Sequence, residues 1–213
     1  IVESEDVKEA LLLLAINPSL GGLLLRGERG TAKTTLARGL ARLLPDRKVN
    51  HGCRFGCPSD DDSIWCEDCR RERPTETDVE RVPFVTLPLG TTEDQLLGSI
   101  HLEKVLSQGR VELEPGLLAR ANQGVLYVDE VNLLEDHLVD LLLDAAASGV
   151  NVVARENLRC QHPAKFVLIG TMNPDEGELR PQMLDRFGLC LDLVGLKSPK
   201  DRALVVERCV EFE

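Results

Sequence analysis

Apolar residues recur along the chain with two different spacings, and each spacing predicts one type of element. Over residues 5–15 they fall at Val7, Ala10, Leu11 and Leu14, the one-sided pattern of a helix. Short, mostly apolar runs instead predict strands at 23–25, 82–87, 125–128, 166–170 and 189–194, of which those at 23–25, 125–128 and 166–170 are expected to be buried. Further helices are predicted at 34–44, 92–98, 101–107, 117–122 and 135–147, and from residue 199 onward. This alternation indicates an α/β domain in which a parallel sheet of five strands lies between helices.

Three stretches interrupt the alternation of strands and helices. Residues 46–81 contain four cysteines and many charged residues with little periodicity, so we interpret them as an insertion on the surface of one domain spanning 1–213. Residues 109–116 have the pattern of a small hairpin. Residues 150–154 and 158–162 are predicted to pair as a second hairpin.

Composition narrows the classes of function. The formal net charge of −11 argues against a general nucleic-acid binder, because contact with a phosphate backbone requires a basic surface. No apolar run reaches the roughly 18 residues that a transmembrane helix needs. Residues 1–4 do not resemble the start of a signal peptide. We therefore expect a cytoplasmic protein without a nucleic-acid or membrane partner.

A glycine-rich segment lies between the first predicted strand and the helix that follows it. Residues 27–34 read GERGTAKT, and this order of strand, loop and helix is the setting that a phosphate-binding loop requires. Backbone N–H groups would hold the phosphates, Lys33 would reach the β- and γ-phosphates, and Thr34 would ligate Mg²⁺. Ala32 stands where the pattern has glycine, and a glycine-rich turn without a ligand is the alternative. The residues assigned to nucleotide binding here are Gly27, Gly30, Thr31, Ala32, Lys33, Thr34 and Thr35.

The strand predicted at 125–128 ends in two carboxylates, Asp129 and Glu130. Asp129 is predicted to hold Mg²⁺, and Glu130 to polarise the attacking water as a general base. Two adjacent acids at the end of a buried strand are costly unless a cation or hydrogen bonds use them. A solvated acidic loop is the alternative interpretation.

Two further residues are candidates for catalysis. Asn173 follows the strand at 166–170 and would orient a water molecule, although Asn-Pro is also a common turn. Arg186 is a candidate arginine finger, because a planar guanidinium pairs with two phosphate oxygens at once. For this arginine the alternative is a surface ion pair with Asp185 or Glu178.

The chain resembles the AAA+ ATPase subunit of magnesium chelatase and of the related cobaltochelatases, either an I-type subunit or the AAA+ part of a D-type subunit. The resemblance is carried by 27–40 (GERGTAKTTLARGL), 87–100 (LPLGTTEDQLLGSI), 114–122 (EPGLLARAN), 124–143 (GVLYVDEVNLLEDHLVDLLL) and 170–188 (GTMNPDEGELRPQMLDRFG). With the segments that join them, these runs cover nearly the whole chain apart from the cysteine-rich insertion. They are far more specific than a phosphate loop alone.

The resemblance implies the fold of an AAA+ P-loop ATPase core that assembles as a hexameric ring with ATP between subunits. It implies a motor that binds ATP and Mg²⁺, hydrolyses ATP, and drives insertion of Mg²⁺ or Co²⁺ into a tetrapyrrole. A separate large subunit would hold the tetrapyrrole, and a D-type subunit would accompany the motor. The implied roles are Walker B for Asp129 and Glu130, sensor 1 for Asn173, the finger on a neighbour's ATP for Arg186, and the adenine-lining segment for Ile1 and Val2.

The same resemblance also assigns the two predicted hairpins and implies a helical lid. Residues 109–116 match the helix-2 insert, and 150–162 match the hairpin before sensor 1. The helical lid that carries the sensor 2 arginine is expected to be missing from these 213 residues. Alternatives are a non-hydrolysing D-type scaffold, a MoxR-like AAA+ chaperone and, against the acidic charge, a helicase loader. The presence of the acidic pair, the sensor and the finger together favours an active motor.

Four of the seven cysteines form the series Cys53-x₃-Cys57-x₈-Cys66-x₂-Cys69. Two short cysteine pairs joined by a loop can close a tetrahedral S₄ site, so a structural Zn²⁺ is the first interpretation. An iron–sulfur cluster uses the same ligands, and a pair of disulfides is the third possibility. Within the family, such a series is more typical of the cobaltochelatase-like branch. The other three cysteines, at 160, 190 and 209, are expected to be buried or free thiols.

Overall fold

The computed structural model describes residues 5–28, 30–100, 113–155, 158–193, 195 and 198–212. The helices are α1 (Glu5–Ile16), α2 (Lys33–Leu43), α3 (Glu67–Glu72), α4 (Glu93–Leu97), α5 (Leu117–Arg120), α6 (Asp136–Ser148), α7 (Pro181–Leu184) and α8 (Pro199–Phe212). The strands are β1 (Leu23–Gly27), β2 (Arg47–Asn50), β3 (Thr77–Glu80), β4 (Phe84–Leu87), β5 (Gly98–Ile100), β6 (Leu113–Pro115), β7 (Val125–Val128), β8 (Val150–Arg155), β9 (Leu158–Pro163), β10 (Val167–Met172) and β11 (Leu189–Leu193). Among the described residues, no helix combines the length and the apolar character needed to cross a membrane.

Five strands form one sheet in the order β11-β1-β10-β7-β4, and every pairing in it is parallel. The register aligns Leu23 with both Leu189 and Ile169, and it aligns Val125 with both Val167 and Phe84. The carboxyl ends of β1, β7 and β10 therefore lie at one edge of the sheet. The phosphate loop, the acidic pair and Asn173 all follow strands that end there, which is where ligands bind in open α/β sheets.

The central strands are buried on both faces. Leu23 and Leu25 of β1 pack with α1 and α2, whereas Leu24 packs on the opposite face against α6. Side chains alternate across the sheet in this way even though the sequence shows an unbroken apolar run. Full burial of a leucine side chain contributes about 1.5–3 kcal/mol, so these two layers hold the sheet edge that carries the site.

Most predicted elements are confirmed, including the parallel five-stranded sheet and the hairpin of β8 and β9. The strand predicted at 82–87 begins only at Phe84, after Pro83, whose ring nitrogen cannot donate a hydrogen bond to a neighbouring strand. The described part of the 109–116 stretch, β6, pairs with β5 rather than within itself. The helix predicted at 101–107 lies outside the described residues.

The cysteine-rich stretch at 46–81 contains more regular structure than its sequence pattern indicated. Strands β2 and β3 pair as an antiparallel ribbon, and α3 lies between them along the chain. The strands were missed because charged and polar residues interrupt both of them (RKVN and TDVE), so neither shows an apolar run.

Candidate functional site

The phosphate loop leaves β1 at Gly27 and enters α2 at Lys33. A Cβ atom on Gly27 would lie 2.4 Å from the carbonyl oxygen of Leu193 in β11, so the sheet leaves room only for glycine there. Gly30 and Ala32 have φ values of +84° and +59°, in the left-handed region. Ala32 therefore adopts a conformation that costs a residue with a Cβ about 1–2 kcal/mol. This turn directs the loop onto the N-terminus of α2, where free N–H groups favour an anion.

The Lys33 side chain connects the phosphate loop to the strand ends beside it. Its Nζ donates to the carbonyl oxygens of Gly27 and Glu28, and to that of Met172 at 3.4 Å. Burial lowers the pKa of Lys33, and the carboxylates of Asp129 and Glu130 act in the opposite direction. The ammonium group thus lies between the loop and the acidic pair.

A chain of hydroxyl groups joins Thr34 to Asp129. The Thr34 Oγ1 and Tyr127 Oη atoms are 2.8 Å apart, and Tyr127 Oη donates to Asp129 Oδ1 at 3.1 Å. Thr171 Oγ1 donates to the same Asp129 oxygen at 2.8 Å. Burial raises the pKa of Tyr127, which keeps its phenol protonated and able to donate. The only hydroxyl hydrogen of Tyr127 is used in the hydrogen bond to Asp129. Thr34 is therefore the donor in its contact with Tyr127.

Glu130 and Asn173 lie beside this series of hydroxyl groups. Glu130 has φ +54°, and its N–H donates to Thr171 Oγ1 at 3.2 Å. A left-handed glutamate is strained, and such strain concentrates at functional sites. Asn173 is only 8% exposed, and its Oδ1 accepts from the N–H of Asp175. Both residues lie at the same sheet edge as Lys33.

Four more residues were predicted to bind the nucleotide, and the structure describes two of them. Thr31 Oγ1 donates to the Glu28 carbonyl oxygen at 2.9 Å, and Thr35 is exposed in the first turn of α2. Ile1 and Val2, expected to line the adenine, lie outside the described residues.

Arg186 lies away from this site. Its guanidinium pairs with Asp140 and Asp144 of α6, rather than with the Asp185 or Glu178 expected for a surface ion pair. Its backbone approaches Gly21, before the start of β1, where a Cβ would be 3.0 Å from the Arg186 carbonyl oxygen. The phosphate loop leaves the opposite end of β1, roughly 16 Å away for a strand of five residues. Arg186 is therefore not brought to the nucleotide site of its own chain.

Residues 53–69, here called the cysteine knuckle, bring four thiols together. The Sγ atoms of Cys53, Cys57, Cys66 and Cys69 all lie within 4.8 Å of one another, and all four are free thiols. The Cys53 and Cys66 sulfurs are 3.9 Å apart, close to the roughly 3.8 Å that four 2.3 Å Zn–S bonds in a tetrahedron require. Burial raises the pKa of the Cys69 thiol to about 12, so a nearby cation would be needed to keep it a thiolate.

One N–H group donates to these sulfurs, and a buried side-chain amide lies beside them. The backbone N–H of Cys66 donates to Cys57 Sγ at 3.2 Å. Asn50 is 2% exposed, its side-chain amide faces the Cys69 thiol, and its Nδ2 makes no regular hydrogen bond to another described group. Such donors suit sulfur atoms that carry negative charge.

Sequence reasoning missed three polar residues of these sites, namely Tyr127, Thr171 and Asn50. Tyr127 and Thr171 lie in β7 and β10, whose other side chains are apolar. A single hydroxyl in a buried apolar strand requires a hydrogen-bond partner, and that was the available signal. Asn50 gave no comparable signal, because its strand is short and irregular in pattern.

Comparisons with known proteins identify the family of this chain. The family described as "Magnesium chelatase, subunit ChlI" matches residues 1–182. The chain is 50% identical over its whole length to the magnesium-chelatase subunit ChlI homolog of Methanocaldococcus jannaschii, and 52% identical to the magnesium-chelatase 38 kDa subunit of Acidiphilium rubrum. It spans 58% and 63% of the lengths of those two relatives.

A solved structure shares the fold. A chain in the cryo-EM-based complex between subunits BchI and BchD of magnesium chelatase superimposes with a TM-score of 0.85 at 47% identity. The match covers 100% of this chain and 65% of that one. With the family match over residues 1–182, this similarity shows that the chain belongs to the magnesium chelatase ChlI family of AAA+ proteins.

Proposed function

We propose that this chain forms the ATP-binding and ATP-hydrolysing core of a chelatase motor, in which hydrolysis drives insertion of Mg²⁺ into a tetrapyrrole. The observation that carries the proposal is the hydroxyl chain from Thr34 through Tyr127 to Asp129. It joins the phosphate loop to the acidic strand end, the two halves that a nucleotide site needs. The magnesium-chelatase names of relatives at 50% and 52% identity favour Mg²⁺ over Co²⁺ as the inserted metal.

The donor set fits the Mg²⁺ ion that accompanies ATP. Thr34 offers a hydroxyl and Asp129 a carboxylate, both hard oxygen ligands of the kind Mg²⁺ prefers. With its proton directed to Tyr127, the Thr34 oxygen keeps its lone pairs for the metal. Bound Mg²⁺ would neutralise charge on the phosphate oxygens.

Hydrolysis would use the other residues at the sheet edge. The loop and Lys33 hold the phosphates, and Asn173 orients a water molecule. Glu130 accepts a proton from that water as its oxygen bonds to the γ-phosphorus, and the bond from phosphorus to the ADP oxygen breaks with its electron pair leaving on ADP. General-base catalysis of this type contributes about 10²–10⁴-fold to the rate.

Arg186 would complete the site of a neighbouring subunit. Its backbone lies at the far end of β1 from the nucleotide site of its own chain, and its guanidinium pairs with Asp140 and Asp144 on α6. A guanidinium from the neighbour fits a ring in which ATP lies between subunits, and we propose the hexamer predicted from the sequence.

A D-type subunit and a large tetrapyrrole-binding subunit complete the proposed assembly, with no nucleic-acid or membrane partner. The cytoplasmic location remains a prediction.

We further propose that the cysteine knuckle holds a structural Zn²⁺. The four clustered sulfurs, the 3.9 Å between the Cys53 and Cys66 sulfurs and the backbone N–H that donates to Cys57 support this ion. Zinc with four thiolates is a closed structural site with no open coordination position. This zinc would therefore stabilise the fold without taking part in ATP hydrolysis.

Reconstitution of the full-length protein with its D-type and large subunits tests the motor function. Insertion of Mg²⁺ into a porphyrin is followed by fluorescence, with Co²⁺ in a parallel reaction. Lys33→Ala should abolish ATP-dependent insertion, whereas Lys48→Ala, at an exposed position on β2, should leave it unchanged. Tight ATP binding without phosphate release in the complete assembly would instead indicate a scaffold subunit.

A further inference from the structure

The cysteine knuckle packs against the β8–β9 hairpin and against β6. Three of its four cysteines form a buried cluster with Phe55, and this cluster includes Val153 and Cys160 of the β8–β9 hairpin. It also includes Leu113 of β6, which pairs with β5. The knuckle is therefore an internal support for these elements rather than an isolated surface loop.

One side of the knuckle is hydrogen-bonded to the body of the domain. The buried side chain of Asn122, between α5 and β7, donates to the carbonyl oxygens of Phe55 at 3.1 Å and Gly56 at 2.7 Å. Gln123 Nε2 also donates to the Gly56 oxygen, at 2.9 Å. The turn between Cys53 and Cys57 is thereby fixed to the loop that precedes β7.

The other side of the knuckle reaches the hairpin through two stacked rings. The Phe55 and His162 ring centroids are 4.9 Å apart with 21° between the planes, and both residues are buried. His162 Nδ1 donates to the Pro163 carbonyl oxygen, so Nε2 accepts from Asn151 Nδ2 at 2.9 Å. Asn151 Nδ2 also donates to the Leu97 carbonyl oxygen at 2.8 Å. One continuous set of contacts thus runs from the knuckle through the β8–β9 hairpin to the end of α4.

We propose that the zinc-bound knuckle is the clamp that fixes the β8–β9 hairpin to the nucleotide-binding core. The inference rests on the zinc ion of the proposed function. A structural zinc supplies folding free energy to a segment with few apolar residues of its own. Without the metal, the turn that carries Phe55 keeps only its hydrogen bonds to Asn122 and Gln123, so the ring on which His162 stacks is held less firmly.

The effect of zinc should be local. The β1 and α2 residues behind the phosphate loop pack in a different cluster, with α1 and the opposite face of the sheet. No cysteine of the knuckle belongs to that cluster. Zinc should therefore control the order of the hairpin while leaving the nucleotide site intact.

The test is hydrogen exchange by mass spectrometry on the full-length protein, with zinc counted by elemental analysis. Wild type is compared with Cys66→Ser and with Cys190→Ser, which changes an exposed thiol on β11 as a matched control. We expect one zinc per chain in wild type and the control, and loss of zinc in Cys66→Ser. In the zinc-free variant, amides of β8 and β9 should exchange about tenfold faster or more, while those of α2 remain unchanged.

A second variant keeps the metal and breaks only the link. Phe55→Leu preserves apolar bulk but removes the stacked ring, so it should retain zinc and still speed exchange in β9 by about threefold or more. Unchanged hairpin exchange in zinc-free Cys66→Ser would overturn the clamp while leaving the zinc site standing. Purified wild type without zinc would overturn both the zinc site and the clamp. Neither result would bear on the proposed ATPase activity.

Discussion

The Thr34 and Tyr127 hydroxyl groups lie 2.8 Å apart although 93 positions separate the two residues in the chain. Tyr127 in turn donates a hydrogen bond to Asp129, so the contact orients a phosphate-loop hydroxyl and an acidic strand end toward one point. Two candidate Mg²⁺ ligands are thus aligned by a residue that is expected to touch neither metal nor nucleotide.

Tyr127→Phe should weaken Mg²⁺ activation of the ATPase. The substitution removes a hydrogen bond to a carboxylate, worth about 1.5–3 kcal/mol, so the Mg²⁺ concentration for half-maximal rate should rise about tenfold or more. The rate at saturating Mg²⁺ should change less, because Lys33 and Glu130 remain. Steady-state ATPase measurements over a Mg²⁺ series provide the check.

The conservative change Thr171→Ser serves as the control for that experiment, since it keeps the hydroxyl that donates to Asp129. It should leave the Mg²⁺ dependence near that of wild type. Equal Mg²⁺ dependence of Tyr127→Phe and wild type would show that the tyrosine has no positioning role.

Arg186 should act on the ATP of a neighbouring subunit. Arg186→Ala and Lys33→Ala should each lose activity as full-length proteins, yet an equimolar mixture should recover about a quarter of the wild-type rate. Recovery is expected because one interface in four then joins an intact loop to an intact finger. A mixture no more active than its components would contradict action between subunits.

Ala32 should be a source of strain in the absence of nucleotide. Ala32→Gly relieves a φ of +59° and should raise the free energy of unfolding by about 1 kcal/mol. The same change at Ala41, inside α2, should lower it by about 1 kcal/mol, because glycine is a poor helix former. Urea denaturation of both variants measures the difference, and a loss of stability in Ala32→Gly would contradict the strain.

The sequence allowed the main sheet to be predicted because its central strands are short runs of apolar residues, as at 125–128 and 166–170. The phosphate loop and acidic pair were predictable for a related reason, since each motif immediately follows such a run. The topology then places them at one edge, because the five strands of this sheet are parallel.

Contacts that depend on register and on short strands were not predictable in this way. The hydrogen bond between Tyr127 and Thr34 requires β7 and α2 to pack in one particular register. The partners of Arg186 lie on α6, more than forty positions earlier in the chain. The ribbon of β2 and β3 has no apolar run to mark it. Each of these features arises from tertiary packing, which local pattern does not encode.

Phosphate release from ATP by full-length Glu130→Gln tests the nucleotide site most directly, with Glu135→Gln, an exposed carboxylate before α6, as the control. We predict that Glu130→Gln retains ATP binding while its hydrolysis rate falls about 100-fold or more, and that the control is unaffected. A hydrolysis rate for Glu130→Gln equal to that of wild type would contradict the assignment of this strand end as the hydrolytic centre.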